Sequence, residues 1–257
     1  MRKQPFLTVL VLSLLSSRGL GVELYRNDFN GPLGSIYPEW TGSQTEFASA
    51  ADPPGKGTRP PQRVTNCDSA NHKRRFLGEF GGERIGTVAD PGYNRTRVDQ
   101  TIRLALDDLP PHEAIELSVD LYVLKSWDGN SPQYGPDRWK LAVDGGPALL
   151  DTTFSNNPKV ERQGSYQDYP RPQSPPRAAA AASNTLGYEF FGDATYPLRF
   201  AFPHSSPQLT IEFTSSLYEG KGLADESWGL DNVTVQTVSL SEVNVAAPPS
   251  SPPSTAQ

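Results

Sequence analysis

Apolar and polar residues alternate along much of the chain, a period-2 pattern that is typical of strands burying one face. The alternation is longest over residues 115–123, where apolar positions such as Ile115 and Leu117 are separated by polar Glu116 and Ser118. No long amphipathic helix is visible, so an all-β fold is predicted. The same pattern recurs in residues 102–106, 139–143, 198–202 and 209–213, and shorter strand candidates are residues 24–29, 75–80 and 186–191.

In the last apolar segment of the chain, the positions predicted to face the core switch from one parity to the other partway along. Trp228 and Leu230 lie on one parity of the pattern, while Val233 lies on the other. An extra residue at Asp231-Asn232 accounts for this change and predicts a β-bulge. Because a bulge re-aims a side chain toward a sheet edge or a loop, we expect a site at this position, although the pattern indicates no reaction.

Eight or more strands that each bury one face need a second layer to cover them. The pattern therefore predicts an antiparallel two-sheet β-sandwich of the jelly-roll kind, concanavalin A-like or galactose-binding-like, with its first and last strands as neighbours. Residues 51–71 and 156–184 are rich in Pro and fall outside the alternation. We expect both to be long surface loops, partly disordered.

The sequence at the start of the chain predicts that the protein is exported, and the sequence at its end predicts a disordered tail. Residues 1–21 carry Arg2 and Lys3, a short apolar run and small residues near position 21, which is typical of a secretory signal peptide. The apolar run is shorter than the roughly 20 residues that span a bilayer. Residues 22–240 are predicted to form one domain, and the Pro- and Ser-rich residues 241–257 a disordered tail.

The net charge limits the classes of binding partner, and the cysteine content limits the covalent and metal cross-links that the chain can form. The formal net charge is −6, and it becomes more negative once the basic residues of the signal segment are removed. An acidic surface disfavours nucleic acid and anionic membranes. Cys67 is the single cysteine, so neither an intrachain disulfide nor a cysteine-based zinc cluster can form.

Three segments carry a resemblance to known proteins. Residues 25–31 read YRNDFNG, residues 76–81 read FLGEFG, and residues 228–233 read WGLDNV. With these segments the chain resembles exported bacterial β-sandwich domains of the concanavalin A-like lectin/glucanase and carbohydrate-binding-module type. The resemblance covers most of residues 23–238 and implies a frequent structural calcium and, in some members, a sugar-binding face. Fold class alone does not determine activity.

Two acidic clusters are candidate calcium sites, because calcium binds hard oxygen ligands from carboxylates, amides and main-chain carbonyls. Neither has the spacing of an EF-hand. The alternative is that these Asp and Asn side chains hydrogen-bond the backbone groups of turns. We rank this alternative above calcium binding for Asn130 and equal to calcium binding for Asp231. The first cluster is Asp225, Glu226, Asp231 and Asn232, joined by Asp28 and Asn30 if the terminal strands pair, and the second is Asp128, Asn130 and Asp137.

Aromatic residues in loop-like sequence are candidates for stacking on a sugar ring. Trp127 and Tyr134 are the main candidates, with Tyr166 and Tyr169 as further ones. Trp139 and Trp228 follow strand parity and are assigned to the core. Trp127 has an alternative role, because a Trp at a strand end often covers the rim of the core.

Catalytic motifs are absent from the sequence. Retaining glucanases of this fold place their carboxylates on one strand as Glu-x-Asp-x-x-Glu or Glu-x-Asp-x-Glu, and the chain has neither pattern. Glu113, Glu116 and Asp120 are predicted to be a solvated face. His72, His112 and His204 are interpreted as surface residues. A carboxylate pair assembled from distant strands would not be visible in the sequence.

Three functions remain open at this level. The first is a secreted, non-catalytic module that binds an extracellular glycan or a cell-surface protein, with a structural calcium. The second is a polysaccharide-cleaving glycosidase of the glucanase kind, which requires two carboxylates facing one groove. The third is a structural surface or matrix protein. The missing catalytic motifs and the loop aromatics favour the first.

Overall fold

The structure is a computed structural model that describes residues 21–46, 62–81, 96–189, 191–219 and 222–243. Its described part is all-β, with two four-residue helices, α1 (Val160–Gln163) and α2 (Leu240–Val243), and a 3₁₀ turn at Gly222–Ala224. The strands are β1 (Glu23–Asn27), β2 (Ile36–Glu46), β3 (Gln62–Asp68), β4 (Arg75–Phe80), β5 (Thr96–Leu106), β6 (Ala114–Lys125), β7 (Arg138–Val143), β8 (Ala148–Thr153), β9 (Ala182–Ser183), β10 (Asp193–Pro203), β11 (Leu209–Glu219) and β12 (Glu226–Val238).

The strands form one large antiparallel sheet in the order β8-β7-β11-β5-β2-β3-β4-β12-β6-β10-β9, with β1 pairing to β12 beside this path. The sheet curls so that its two halves face each other. The ring of Trp228 in β12 lies 6.1 Å from that of Trp139 in β7, and its Nε1 donates to Ser215 Oγ in β11 at 2.9 Å. The all-β, antiparallel prediction is confirmed. β2 and β3 pair and join the two halves into one curled sheet, so the two-sheet sandwich or jelly roll stays a prediction.

The core lies between the two halves and follows the predicted parity. The residues at alternate positions of β6, such as Ile115, Leu117 and Val119, are buried in one apolar cluster with the aromatic residues of β2, β7, β11 and β12. All five strands predicted from clear alternation are present, in β5, β6, β7, β10 and β11. Burial of one face therefore explains these elements directly.

The outer face of β6 supports a second, smaller apolar cluster, formed by Phe76, Tyr122, Leu124, Leu186 and Tyr188. The strand predicted at residues 186–191 is wrong, because residues 186–189 form a loop that covers the cluster. The carboxylate of Asp193 accepts the N–H groups of Thr185 at 2.9 Å and of Leu186 at 3.2 Å. A side chain thus satisfies backbone groups that a neighbouring strand would otherwise satisfy.

The predicted loops are partly wrong. Residues 62–68 form β3, and residues 51–61 lie outside the described residues. Residues 156–184 have little regular structure, as predicted, but they are not simply a surface loop, because Asn156, Ser165 and Gln167 are buried. The Oε1 atom of Gln167 accepts the N–H groups of Ser155 at 3.1 Å and Arg177 at 3.0 Å, which holds the segment against the sheet.

The predicted bulge and the predicted pairing of the terminal strands are both confirmed. On β12, Asp231 pairs with Asp120 and Thr234 pairs with Ser118, so three steps on β12 face two on β6. The extra residue, Asn232, has a φ of 50°. β1 pairs with β12 beyond this point.

The predicted signal peptide lies outside the described residues except for residue 21. Residues 244–257, which make up most of the predicted tail, also lie outside them. The described part of the predicted tail, residues 241–243, belongs to α2. Within the described ranges, no helix has the length and apolar character needed to cross a bilayer.

Candidate functional site

Three buried carboxylates meet at one end of the curled sheet. Asp128, Asp137 and Glu226 are 8%, 0% and 2% exposed, and each offers an oxygen that lies within 4.8 Å of the other two. Asp128 follows β6 and Asp137 precedes β7, while Glu226 opens β12 and pairs with Lys125 at the end of β6. Because β6 and β12 are antiparallel neighbours, the exit of one and the entry of the other lie together.

The loop between the two aspartates is closed by its own hydrogen bonds. The N–H of Asp128 donates to Oδ2 of Asp137, and the N–H of Asp137 donates to the carbonyl of Gly129 at 2.8 Å. Gly129 has a φ of +59°, and a Cβ there would lie 2.1 Å from the carbonyl oxygen of Tyr166. The loop conformation therefore requires glycine at this position.

Within this triad (Asp128, Asp137 and Glu226), burial opposes ionisation of Asp128. Burial raises the pKa of Asp128 to about 6, with a smaller rise from the charge of Asp225, and these are partly offset by a hydrogen bond from Asn157 and by the charge of Lys159. Charged groups out of water need a partner of opposite charge. Carboxylate oxygens are the ligands of hard cations, so the triad could hold a metal ion.

The triad draws on both predicted calcium clusters. Asp128 and Asp137 come from the second, and Glu226 lies beside Asp225 in the first. Asp225 stays close, since its charge acts on Asp128, but its Oδ1 accepts a hydrogen bond from Ser126 Oγ at 2.9 Å. Asn130 instead donates a hydrogen bond from Nδ2 to Oδ1 of Asp168 at 2.7 Å. Glu226 belonged to the first predicted cluster, but its approach to Asp128 has no local sequence signal, because it follows from the pairing of β12 with β6.

Asp231 and Asp28 do not join the triad, which corrects their prediction as ligands of one ion with Asp225. Glu226 and Asp231 are five residues apart on β12, which is roughly 17 Å along a strand. Asp231 points to the outer face of the sheet, where its Oδ2 accepts the hydroxyl of Tyr122 at 2.7 Å and lies 3.7 Å from the guanidinium of Arg74. Burial raises the pKa of Asp231 to about 6.

The bulge opens a polar cleft at the edge of β12. Leu230 is the last β12 residue that pairs with β4, and Val233 is the first that pairs with β1, at Asn27. In the gap between these pairings lies a cleft of about 410 Å³ that is lined by Arg26, Asn27, Asp28 and Asn232. The structure thus brings Asp28 beside Asn232, as pairing of the terminal strands predicted, at a cleft separate from the triad.

The aromatic sugar-binding prediction is wrong for Trp127. Its side chain is fully buried, and its Nε1 donates to the carbonyl of Ser227 at 2.9 Å, so Trp127 belongs to the core. Tyr134 is 37% exposed. Tyr166 is half-buried, and Tyr169 packs on Phe154 with 5.1 Å between ring centroids. Tyr134 is therefore the one candidate of the four with an exposed ring in the described part of the chain.

Two side-chain arrangements were missed in the sequence. His112 and His204 are 92 residues apart, yet His112 Nε2 lies 2.7 Å from His204 Nδ1 and their rings stack 5.0 Å apart. Glu116 is buried, and its Oε2 accepts a hydrogen bond from Arg199 at 2.6 Å, so the solvated-face prediction is wrong for Glu116. Neither arrangement has a local sequence signal, because the partners come from different strands or loops.

No protein-family model matches the chain, and no curated protein matches it. Among solved structures it is similar to dimeric latent PorU from Porphyromonas gingivalis, with 13% identity and a TM-score of 0.31 over 80% of this chain, and it spans 13% of the PorU chain. It is also similar to the Stig cyclase Fisc from Fischerella sp. TAU, with 15% identity and a TM-score of 0.32, covering 84% of this chain and 98% of that one.

A third similar structure is the GH115 4-O-methyl-α-glucuronidase BtGH115A, with 14% identity and a TM-score of 0.27, covering 75% of this chain and 20% of that one. None of the three is described as a concanavalin A-like lectin or a carbohydrate-binding module. The resemblance noted in the sequence therefore stays a prediction, and these similarities carry no functional argument.

Proposed function

We propose that the protein is a secreted, non-catalytic β-sandwich module, carbohydrate-binding or adhesive, that is stabilised by a calcium ion bound to Asp128, Asp137 and Glu226. The observation that carries the proposal is the approach of three buried carboxylates to within 4.8 Å. The signal-peptide pattern at the start of the sequence supports export. The facing halves of the curled sheet support the sandwich description.

Calcium fits the donor set better than other common ions. All three side chains offer oxygen, whereas zinc and copper sites generally include histidine or cysteine. Calcium also accepts irregular coordination geometry, which suits carboxylates that come from a loop and from the start of a strand. Extracellular modules bind calcium with a Kd of roughly 10⁻⁴–10⁻³ M, so a weak site suffices outside the cell.

The site is structural in this proposal because it is buried and because it joins three parts of the fold. An ion on these carboxylates would link the end of β6, the start of β7 and the start of β12. Since a ligand that binds the folded state alone stabilises it by mass action, calcium would secure the loops at this end. The glucanase alternative requires two carboxylates facing one groove, and Asp28 is the one carboxylate among the described residues that line the cleft.

Thermal unfolding of the mature chain, residues 22–257, in calcium and in chelator tests the proposal. Calcium is expected to raise the Tm of the wild type, by the equivalent of about 2.7 kcal/mol when free calcium is a hundred times the Kd. Asp137→Asn and Glu226→Gln should lose most of this rise. Asp144→Asn removes an exposed acid from the turn after β7 and should keep it. Identical midpoints of the wild type in calcium and in chelator would refute the calcium site.

A further inference from the structure

Two histidines from distant parts of the chain meet at the end of the sheet where β6 begins and β10 ends. His112 lies in the loop before β6 and His204 in the loop after β10. These loops are neighbours because Pro203 pairs with Ala114 at the end of the antiparallel ladder of β10 and β6. His112 Nε2 lies 2.7 Å from His204 Nδ1, and the two ring planes differ by 17°.

Backbone hydrogen bonds between the two loops hold the histidines together. The N–H of His204 donates to the carbonyl of Glu113 at 3.1 Å, and the N–H of Leu109 donates to the carbonyl of Pro207 at 2.9 Å. Because the backbone is fixed on both sides, the fold itself brings the two rings together. Such preorganisation reduces the entropy lost when a ligand binds.

The hydrogen bond on the far side of His112 decides which of its nitrogens carries the proton. Its Nδ1 lies 2.6 Å from the carbonyl oxygen of Pro110, and since a carbonyl oxygen only accepts, Nδ1 is the donor. In the neutral ring the lone pair is then on Nε2, the nitrogen that faces His204. Histidines that bind metal ions generally donate their other N–H to a carbonyl or carboxylate oxygen in this way. His112 therefore has the tautomer of a metal ligand.

We propose that His112 Nε2 and His204 Nδ1 together bind one copper(II) ion. The ion takes the place of the proton that His204 Nδ1 donates to His112 Nε2. A neutral imidazole can carry its proton on either nitrogen, so this proton moves to Nε2 of His204 and none is released. The inference goes beyond the proposed function and does not depend on the calcium site.

The distance between the two nitrogens selects copper over zinc. With metal–nitrogen bonds of about 2.0–2.1 Å, two ligands at the right angle of a tetragonal site lie about 2.9 Å apart, whereas two ligands of a tetrahedral site lie about 3.3–3.4 Å apart. The observed 2.7 Å is closer to the tetragonal value, so copper(II) requires the smaller movement of the rings. Copper(II) also forms the most stable complexes of the divalent first-row ions.

The histidine pair forms an open site with two protein ligands. Within the described residues, the triad is the one group of three or more His, Cys, Asp or Glu side chains that could share an ion, so water completes the coordination at the histidines. Both histidines lie in loops and are half-buried, which lets the rings turn until both lone pairs point at the ion. Loss of either ring leaves a single ligand, so both are needed.

Titration of the untagged mature chain, residues 22–257, with copper(II) tests the proposal by NMR. Excess calcium is present, so that copper does not compete for the triad. The chain has three histidines, so their imidazole C–H signals can be assigned by single substitutions to glutamine. Less than one equivalent of paramagnetic copper is expected to broaden the signals of His112 and His204 together. The signals of His72, whose side chain is 79% exposed, should stay sharp.

Calorimetric titration of the glutamine variants measures what each ligand contributes. His112→Gln and His204→Gln should each lower the affinity for copper(II) at least about tenfold, because the second ligand of a chelate binds at a high effective concentration. His72→Gln is the matched control and should bind copper as the wild type does. The NMR experiment on the wild type remains decisive if a variant fails to fold.

Four results would overturn the proposal. They are no binding at millimolar copper(II), broadening of His112 or His204 without the other, an affinity that both His112→Gln and His204→Gln leave unchanged, and binding of zinc as tight as that of copper. The calcium dependence of the Tm is a separate measurement, so failure of the calcium site leaves the histidine site standing, and the reverse also holds.

Discussion

The hydroxyl of Tyr122 on β6 donates a 2.7 Å hydrogen bond to Oδ2 of Asp231 at the bulge of β12. Both residues are 2% exposed, and they join neighbouring strands on the outer face of the sheet. A buried carboxylate that loses a hydrogen-bond donor keeps its desolvation cost. The pair is therefore expected to stabilise the bulge from beneath the polar cleft.

Tyr122→Phe removes only the hydroxyl and should lower the free energy of unfolding by about 1–3 kcal/mol at neutral pH, as expected for a buried polar group left without its partner. Urea denaturation of both proteins measures the difference. Tyr134→Phe, which removes an exposed hydroxyl, is the control and should leave stability unchanged. Equal stability of Tyr122→Phe and wild type would mean that the hydrogen bond contributes nothing.

The stability contribution of Asp231 should depend on pH. Burial raises the pKa of its carboxyl to about 6 in the folded protein, whereas the unfolded chain has the ordinary value near 4. The folded state therefore binds more protons between these values. The contribution is present in full below about pH 4 and is lost as the pH rises through about 6, with an upper limit of about 3 kcal/mol.

Asp231→Asn lacks this titration. The free energy of unfolding of the wild type minus that of Asp231→Asn should thus fall between pH 4 and pH 7, as measured by urea denaturation at several pH values. Subtracting the variant cancels the titration of all other groups. A difference that stays constant, or that rises with pH, would contradict the raised pKa.

His204, whose ring stacks on that of His112, should titrate below the ordinary histidine range. Burial, and then the charge of His112, lower the pKa of His204 in the folded state. For a base with a lowered pKa, the stability contribution is present above the unfolded value near 6.5 and is lost as the pH falls through the folded value. Protonation of His204 is therefore expected to destabilise the protein in mild acid.

NMR titration of the imidazole C–H signals measures this directly. His112→Ala removes one of the two causes and should raise the pKa of His204 toward the ordinary value, while burial keeps it below that value. A pKa of His204 that is unaffected by His112→Ala would show that the two rings do not interact in solution.

Gly129→Ala should disrupt the loop that carries two of the three triad carboxylates. Gly145 is a matched control, because its φ of +67° is similar to the +59° of Gly129, but a Cβ at Gly145 would meet nothing within 4 Å. Gly145→Ala is expected to cost only the roughly 1–2 kcal/mol of a left-handed alanine. Gly129→Ala adds a clash with the carbonyl of Tyr166 and should cost more, together with a loss of calcium stabilisation.

Thermal unfolding of both variants in calcium and in chelator tests this comparison. Equal Tm values for Gly129→Ala and Gly145→Ala would indicate that the loop accommodates a side chain at position 129. In that case the loop between Asp128 and Asp137 could adopt a conformation other than the one described and still form the calcium site.

By itself the sequence determined the strands that bury one face with clear alternation and the bulge at Asp231-Asn232. Burial of one face imposes a period of two on the residues of a strand, and an extra residue shifts that period in a way that can be read locally. β2, β3 and β8 were missed because their apolar positions do not alternate clearly, and β9 was missed because its two residues are too short to show a pattern. The sequence also placed Asp128 and Asp137 in one loop, since they are nine residues apart.

Only the tertiary structure decided which of these groups meet. Glu226 reaches Asp128 because β12 enters where β6 ends, and the fully buried Trp127 belongs to the core because that same end of the sheet closes over it. The cleft depends on where β12 exchanges β4 for β1, and the approach of His112 to His204 depends on two loops brought together by the sheet. Such contacts follow from strand order and register, which residue periodicity does not encode.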